Sequence, residues 1–268
     1  MDNKYSVLMS VYYKEKPEYL QQSIESILNQ TVPTDDFVLV CDGPLTPELD
    51  AVIEKYNTLH LVRLKENGGL GNALNEGMKY CRHELVARMD SDDISRQDRC
   101  ERELKAFADH PEVDIVSGTI EEFITSPDEV YSRRVLPETN DEIVEFAKKR
   151  NPFNHPAVMY RKSAVEAAGG YKDFYLLEDY FLWIRMILND CRGYNIQSPV
   201  LWMRAGSDLY KRRGGMKYVG SEKRLFSYML EKGFIDKGQY SRAVIGRAVG
   251  AMIPNWVRGI LYKKVLRK

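Results

Sequence analysis

The sequence predicts an α/β fold, a mostly parallel sheet with helices on both faces. Three observations predict it. Apolar runs of strand length alternate with segments whose apolar residues recur at helical spacing through about residue 117, as in a parallel sheet covered on both sides. Polar or acidic residues follow nearly every strand-like run. The 268 residues, 44% of them hydrophobic, suffice to bury a sizeable core as one large domain or a domain with an appendage.

The elements follow in order. Residues 5–12 (YSVLMSVY) read as a buried strand. Pro17 opens a helix striped by Leu20, Ile24, Ile27 and Leu28. Phe37–Cys41 is the second strand, stopped by Asp42-Gly43-Pro44, and Leu49, Val52, Ile53 and Tyr56 stripe the second helix. Residues 59–64 give a third strand, Leu70, Leu74 and Met78 a third helix, and residues 84–89 a fourth strand ending at Asp90. A fifth strand is expected at 113–117. Residues 121–156 are polar and punctuated by four prolines, without a clear rhythm. A short strand at 157–160, a helix ending near Gly169-Gly170 and a helix over Glu178–Leu188 complete the pattern. No internal repeat or low-complexity linker is present.

Charge divides the chain. Lys+Arg 39 balance Asp+Glu 39, which excludes a polybasic nucleic-acid binder. The final 32 residues carry eight basic residues and no acidic one, so residues 1–236 have a net of −8. Cys41, Cys81, Cys100 and Cys191 form no C-x-x-C pair, arguing against a zinc site or disulfide framework and for a reducing cytoplasm. The first residues lack a signal-peptide apolar region, and no apolar run approaches the ~20 residues of a spanning helix, so a soluble or peripheral protein is expected.

Open parallel sheets bind ligands beyond the carboxyl ends of their strands. Ser10 and Tyr12, Asp42, Asn67, and Asp90-Ser91-Asp92-Asp93 stand there. Three carboxylates in four residues are costly to hold together unless a cation or water screens them, and Mg²⁺ or Mn²⁺ is the natural hard partner. Taken alone, the same four residues also suit an exposed turn and helix cap. An EF-hand fails because Ser95 stands where the loop needs glycine. A haloacid-dehalogenase-type phosphatase would carry its acidic motif after the first strand, not the fourth. Leu74 occupies the third glycine position of a dinucleotide fingerprint, and no Walker motif occurs.

Together, SVLMSVYYKEKPEYLQQSIESILNQT, VLVCDGP, ENGGLGNALNEGM, RMDSDD and LLEDYFLWIRM resemble family 2 glycosyltransferases of the GT-A fold over about residues 5–190. Within that family the chain is most similar to bacterial exopolysaccharide and O-antigen transferases of the amylovoran type, a placement that residues 210–215 (YKRRGG) also support. The resemblance implies that Ser10 and Tyr12 line the nucleotide pocket, with Asn67 among the donor-binding residues, and that Asp42 meets the uracil edge. It places Asp90 near ribose and metal and Asp92 on the metal through the diphosphate; Asp93 supports them or caps a helix. Glu178-Asp179 matches the family's acidic pair, Asp179 being the expected base and Glu178 the next candidate. Two departures stand out. Ala73-Leu74-Asn75 lacks the family's frequent arginine, and no histidine follows Asp179 to join the metal. His155 reads as structural, while Arg204, Arg212 and Arg213 suit a diphosphate or a solvated face equally.

The expected activity is inverting, metal-dependent transfer of a hexose or N-acetylhexosamine from a UDP-sugar to a polyprenyl-diphosphate-linked saccharide. Residues 1–236 would form the catalytic domain, with 1–120 as nucleotide-binding half and 121–236 as acceptor-binding half. Residues 237–268 would form a basic amphipathic tail lying on an anionic membrane, which places the protein in the cytoplasm on the membrane's inner face. The alternatives are a sugar-phosphate nucleotidyltransferase, disfavoured because residues 7–16 contain no glycine, and a membrane-docked scaffold without activity, disfavoured by two intact acidic motifs.

Overall fold

The computed structural model describes residues 4–205 and 216–252. Four parallel strands form its first half: β1 (Ser6–Val11), β2 (Phe37–Cys41), β3 (Leu59–Arg63) and β4 (Leu85–Asp90), in spatial order β3-β2-β1-β4. Successive side chains of a strand point to opposite faces, and both faces here are buried. Val7, Met9 and Leu39 meet α1 (Pro17–Leu28), α2 (Pro47–Ile53) and α4 (Arg99–Asp109) through Leu20, Ile24, Leu49, Ile53 and Phe107. Leu8, Val38 and Val40 meet α3 (Leu70–Met78) through Ala73, Leu74 and Met78. At Gly77 of α3 an added Cβ would stand 2.5 Å from Leu8 Cδ1 and from Val40 Cγ2, so a hydrogen there sets how closely the helix lies on the sheet.

Parallel pairing gives way at β8 (Val158–Arg161), which runs antiparallel to β4. The sheet continues through β6 (Ile115–Phe123), β9 (Gly193–Arg204) and β5 (Ile94–Ser95), with β7 (Ser132–Arg134) on β6. Among the described residues, β6–β9 is the only parallel pair in this half. The sheet is therefore parallel over β1 to β4 and mixed beyond them.

The second half departs from the sequence expectation in particular places. β6 runs to Phe123, well past the expected end at 117, and is buried throughout. Its Glu121 tolerates burial because Arg96 and Arg133 both pair with it. β9 has no counterpart in the expectation, since Pro199 and several polar residues mask it. Pro199 stands where the β6–β9 register is interrupted, the place a strand can absorb a proline. The polar stretch 121–156 contains α5 (Asn140–Ala147), started by a capping box of Thr139 and Glu142. The short strand, α6 (Lys162–Ala167) ahead of Gly169-Gly170, and α7 (Glu178–Leu188) stand close to where expected.

Behind α7, Tyr180 and Ile184 pack with Leu225, Phe226 and Met229 of α8 (Met216–Glu231). The next helix, α9 (Lys237–Met252), joins the same cluster through Ala243 and Val244, while Ile245 is 63% exposed. The start of the expected tail thus packs on the protein itself. Its remainder, with Pro254 and Trp256, lies outside the described residues, as does segment 206–215. No described helix is long and apolar enough to cross a membrane.

Candidate active site

The register of the parallel strands brings the expected residues to one rim. Ser10 of β1 pairs with Asp90 of β4, and Val11 pairs with Cys41 of β2. Asp42 follows directly, its N–H donating to Val11 O at 2.8 Å. Both Asp42 carboxylate oxygens accept main-chain N–H groups, from Gly68 at 2.7 Å and Gly69 at 3.1 Å, and Asn67 Nδ2 returns a bond to Asp42 O at 3.1 Å. Gly43 has φ +85°, and a Cβ on it would stand 2.7 Å from Asn67 N. The two loops touch only because that residue is glycine. Asp42 and Asn67 therefore form one brace beside the rim. Ser10 is half-buried and Tyr12 is 38% exposed, its ring edge-on to Tyr13.

At the end of β4, ligand oxygens of Asp90, Asp92 and Asp93 all lie within 4.8 Å of one another. Arg88, fully buried in β4, donates to Asp90 Oδ1. Ser91 Oγ donates to Glu15 Oε2 at 2.7 Å, tying the acidic turn to the loop after β1. Asp93 Oδ1 accepts from Arg204 N at 2.8 Å, whereas its buried Oδ2 has no hydrogen-bond partner among the described residues. Burial, reinforced by Asp90 and Glu15, pushes the Asp92 carboxyl up to about 7. Burial and the neighbouring Asp92 and Asp90 raise Asp93 as well. A hard divalent cation fits this set, since it supplies the charge that the cluster lacks and suits all-oxygen donors.

The second acidic pair opens α7. Leu176 turns the chain with φ 58°, and Glu178 and Asp179 occupy the first helical turn, where the helix dipole favours carboxylates. Asp179 Oδ2 accepts from Asn151 Nδ2 at 2.6 Å, and its Oδ1 accepts from Tyr180 N at 2.7 Å. Burial first, then Asp179 and Asp90, push the Glu178 carboxyl up to about 7, with Arg88 acting against them. The two acidic motifs, 88 positions apart between Asp90 and Glu178, thus share one electrostatic field with Arg88 in it.

Arg88, Asn151 and Glu15 were not singled out by sequence reasoning. A charged residue inside the otherwise apolar run LVARM is the signal for Arg88; nothing local marks Asn151. Arg204 is engaged in the protein's own structure. Its Nε donates to Asp92 O at 3.0 Å, its Nη2 to Gln22 Oε1 at 2.7 Å, and its guanidinium stacks 3.8 Å from the Tyr19 centroid. It locks the acidic turn to α1 and β9. Arg212 and Arg213 lie outside the described residues. His155 is buried, bonded to Tyr171 Oη at 2.9 Å and held well below its usual pKa by burial, which suits the structural reading. Leu74, where the family often has arginine, is buried in the core, and the neighbouring Asn75 exchanges two bonds with the Tyr171 backbone at 2.8 and 2.9 Å.

Comparisons with known proteins identify the family. Residues 6–168 match the family described as glycosyl transferase family 2. The chain is 38% identical to an Escherichia coli UDP-Gal:alpha-D-GlcNAc-diphosphoundecaprenol beta-1,3-galactosyltransferase, over 99% of this chain and 97% of that one. It is 39% identical to the amylovoran biosynthesis glycosyltransferase AmsE of Erwinia amylovora, over 97% and 98% of the two chains. Among solved structures, S. aureus TarS 1-349 in complex with UDP-GlcNAc superposes with a TM-score of 0.67 at 18% identity, over 92% of this chain and 72% of that one. That likeness concerns the fold, which is of the GT-A kind. The nucleotidyltransferase alternative falls, and an enzyme is favoured over a scaffold: the chain belongs to glycosyl transferase family 2.

Proposed function

We propose that this glycosyltransferase moves a hexose or N-acetylhexosamine from a UDP-sugar to a polyprenyl-diphosphate-linked saccharide, with inversion, on the inner face of the membrane. The observation that carries the reading is the meeting of two acidic motifs at one rim, Asp90 to Asp93 after β4 and Glu178-Asp179 at the start of α7. The printed activity of the E. coli relative supports the donor and acceptor classes. Ser10, Tyr12 and the Asp42–Asn67 brace would border the nucleotide. Asp90 and Asp92 would hold Mn²⁺ or Mg²⁺, which when bound supplies positive charge against the departing diphosphate. Asp179 would take the acceptor hydroxyl's proton as that oxygen attacks the anomeric carbon and the bond to the diphosphate oxygen breaks. One displacement needs one base and no covalent intermediate. Asn151 fixes the direction of that carboxylate.

A second assignment exchanges the two acids. Glu178, held at about 7, has the pKa expected of a base poised for neutral pH. Turnover of the two amide variants with UDP-sugars decides between them. Asp179→Asn should retain donor binding and lose roughly 10²–10⁴-fold in rate. Near wild-type turnover in Asp179→Asn, with that loss in Glu178→Gln, would move the base to Glu178.

A further inference from the structure

A cavity of about 320 Å³ lies between the loop before α7 and one face of α8, lined by Asp173, Tyr175, Lys217, Gly220, Ser221 and Arg224. Lys217, Gly220, Ser221 and Arg224 fall at helical spacing, so α8 turns one stripe toward it. Lys217 Nζ sits 4.0 Å from the Tyr175 ring centroid, and the Arg224 guanidinium sits 4.2 Å from that of Phe174. Aromatic rings hold these cations in place without neutralising them. Among the described residues neither has an ion-pair partner. Gly220 keeps the middle of the stripe open, since a Cβ there would meet nothing within 4 Å. The hydroxyl-bearing Ser221 lies beside it, buried.

The cavity's position relative to the acidic pair limits what it would serve. Tyr175 is three residues before Glu178, and three residues of chain span at most roughly 11 Å. That is about the reach of one sugar ring and its glycosidic phosphate. It stands on the α7–α8 side of the base, whereas the expected donor residues Ser10, Asp42 and Asn67 stand on β1, β2 and the loop before α3. An anion seated here would belong to the acceptor.

We infer that the Lys217–Arg224 cavity receives the diphosphate of a lipid-linked acceptor, with Tyr175 beside the sugar nearest to it. This deepens the acceptor assignment above and rests on it. Among the described residues that line the cavity, Asp173 alone carries an opposing charge, and it is exposed. Two cations against one carboxylate leave a net attraction for an anion, and Asp173 moderates it.

The test uses the full chain saturated with UDP and Mn²⁺, so that the donor site is occupied, and titrates farnesyl diphosphate as probe with farnesol as the uncharged control. The wild type should bind the diphosphate and discriminate against farnesol. Lys217→Ala with Arg224→Ala should weaken the diphosphate roughly tenfold while leaving UDP affinity and melting temperature unchanged. Asp173→Asn should shift affinity the opposite way, tightening it by a few-fold. Loss of UDP affinity in the double variant would assign the cations to the donor and overturn the inference. So would a probe that competes with UDP, or unchanged probe affinity in both variants. Failure of the proposed donor chemistry reads out separately, as absent Mn²⁺-dependent UDP binding in the wild type.

Discussion

Glu178 sits in an environment at odds with its charge. Its folded pKa of about 7 lies above its ordinary 4.5. Between those values the folded protein holds a proton that the unfolded chain has released, so this group costs stability as pH rises from about 4.5 to 7. Glu178→Gln should therefore raise the melting temperature of the metal-free protein at pH 8, by the equivalent of about 1–2 kcal/mol once solvent screening of a half-buried group is allowed for. The gain should shrink to at most about 0.4 kcal/mol at pH 4.5, where wild-type Glu178 is protonated in the folded state and half-protonated in the unfolded chain. Melting curves at the two pH values check this; an equal gain at both would assign it to packing. Stability given up at a working residue is the common trade in active sites. Asp179 beside it is held in place by its neighbours: Asn151 Nδ2 and the helix N–H of Tyr180 donate to its two oxygens.

At the scale of elements, legibility follows the range of the interactions. β1, β2, β4 and α1 to α3 were readable because each is specified by its own period and stopped by its own turn, such as Asp42-Gly43-Pro44. β9 was not, because its support is long-range: β6 on one side, β5 on the other, and a register break at Pro199. The acidic motifs were legible as sequence, but their common field was not, since Arg88 and Asn151 come from β4 and from the loop after α5. Asp42 shows a further limit. A turn-forming residue and a ligand-facing one look alike in sequence, and the geometry adds the brace to Gly68 and Gly69. The tight contacts of α3 give a direct check. Gly77→Ala would press a methyl against Leu8 and Val40 at 2.5 Å and should destabilise the protein by about 1–3 kcal/mol in urea denaturation. A change under a few tenths would mean that α3 does not lie so close.

For the whole molecule, the uneven distribution of charge gains a structural boundary. The first turns of α9 are anchored on α8, so any membrane-facing portion of the tail is better sought after Met252. Residues 253–268 carry five basic residues and one Trp. Truncation after Met252 should release the protein from vesicles containing anionic lipid while preserving UDP binding, since each basic residue near such a surface contributes about 1 kcal/mol. Equal sedimentation of truncated and full chains would contradict it.

On the function proposed above, the rim after β4 binds a nucleotide diphosphate through a divalent cation held by Asp92. Calorimetric titration of UDP into wild-type protein and Asp92→Asn, each with Mn²⁺ and with EDTA, tests it most directly. UDP should bind the wild type only with Mn²⁺, and a folded Asp92→Asn protein under neither condition. Mn²⁺-dependent UDP affinity undiminished in Asp92→Asn, or wild-type binding of equal strength in EDTA, would contradict it.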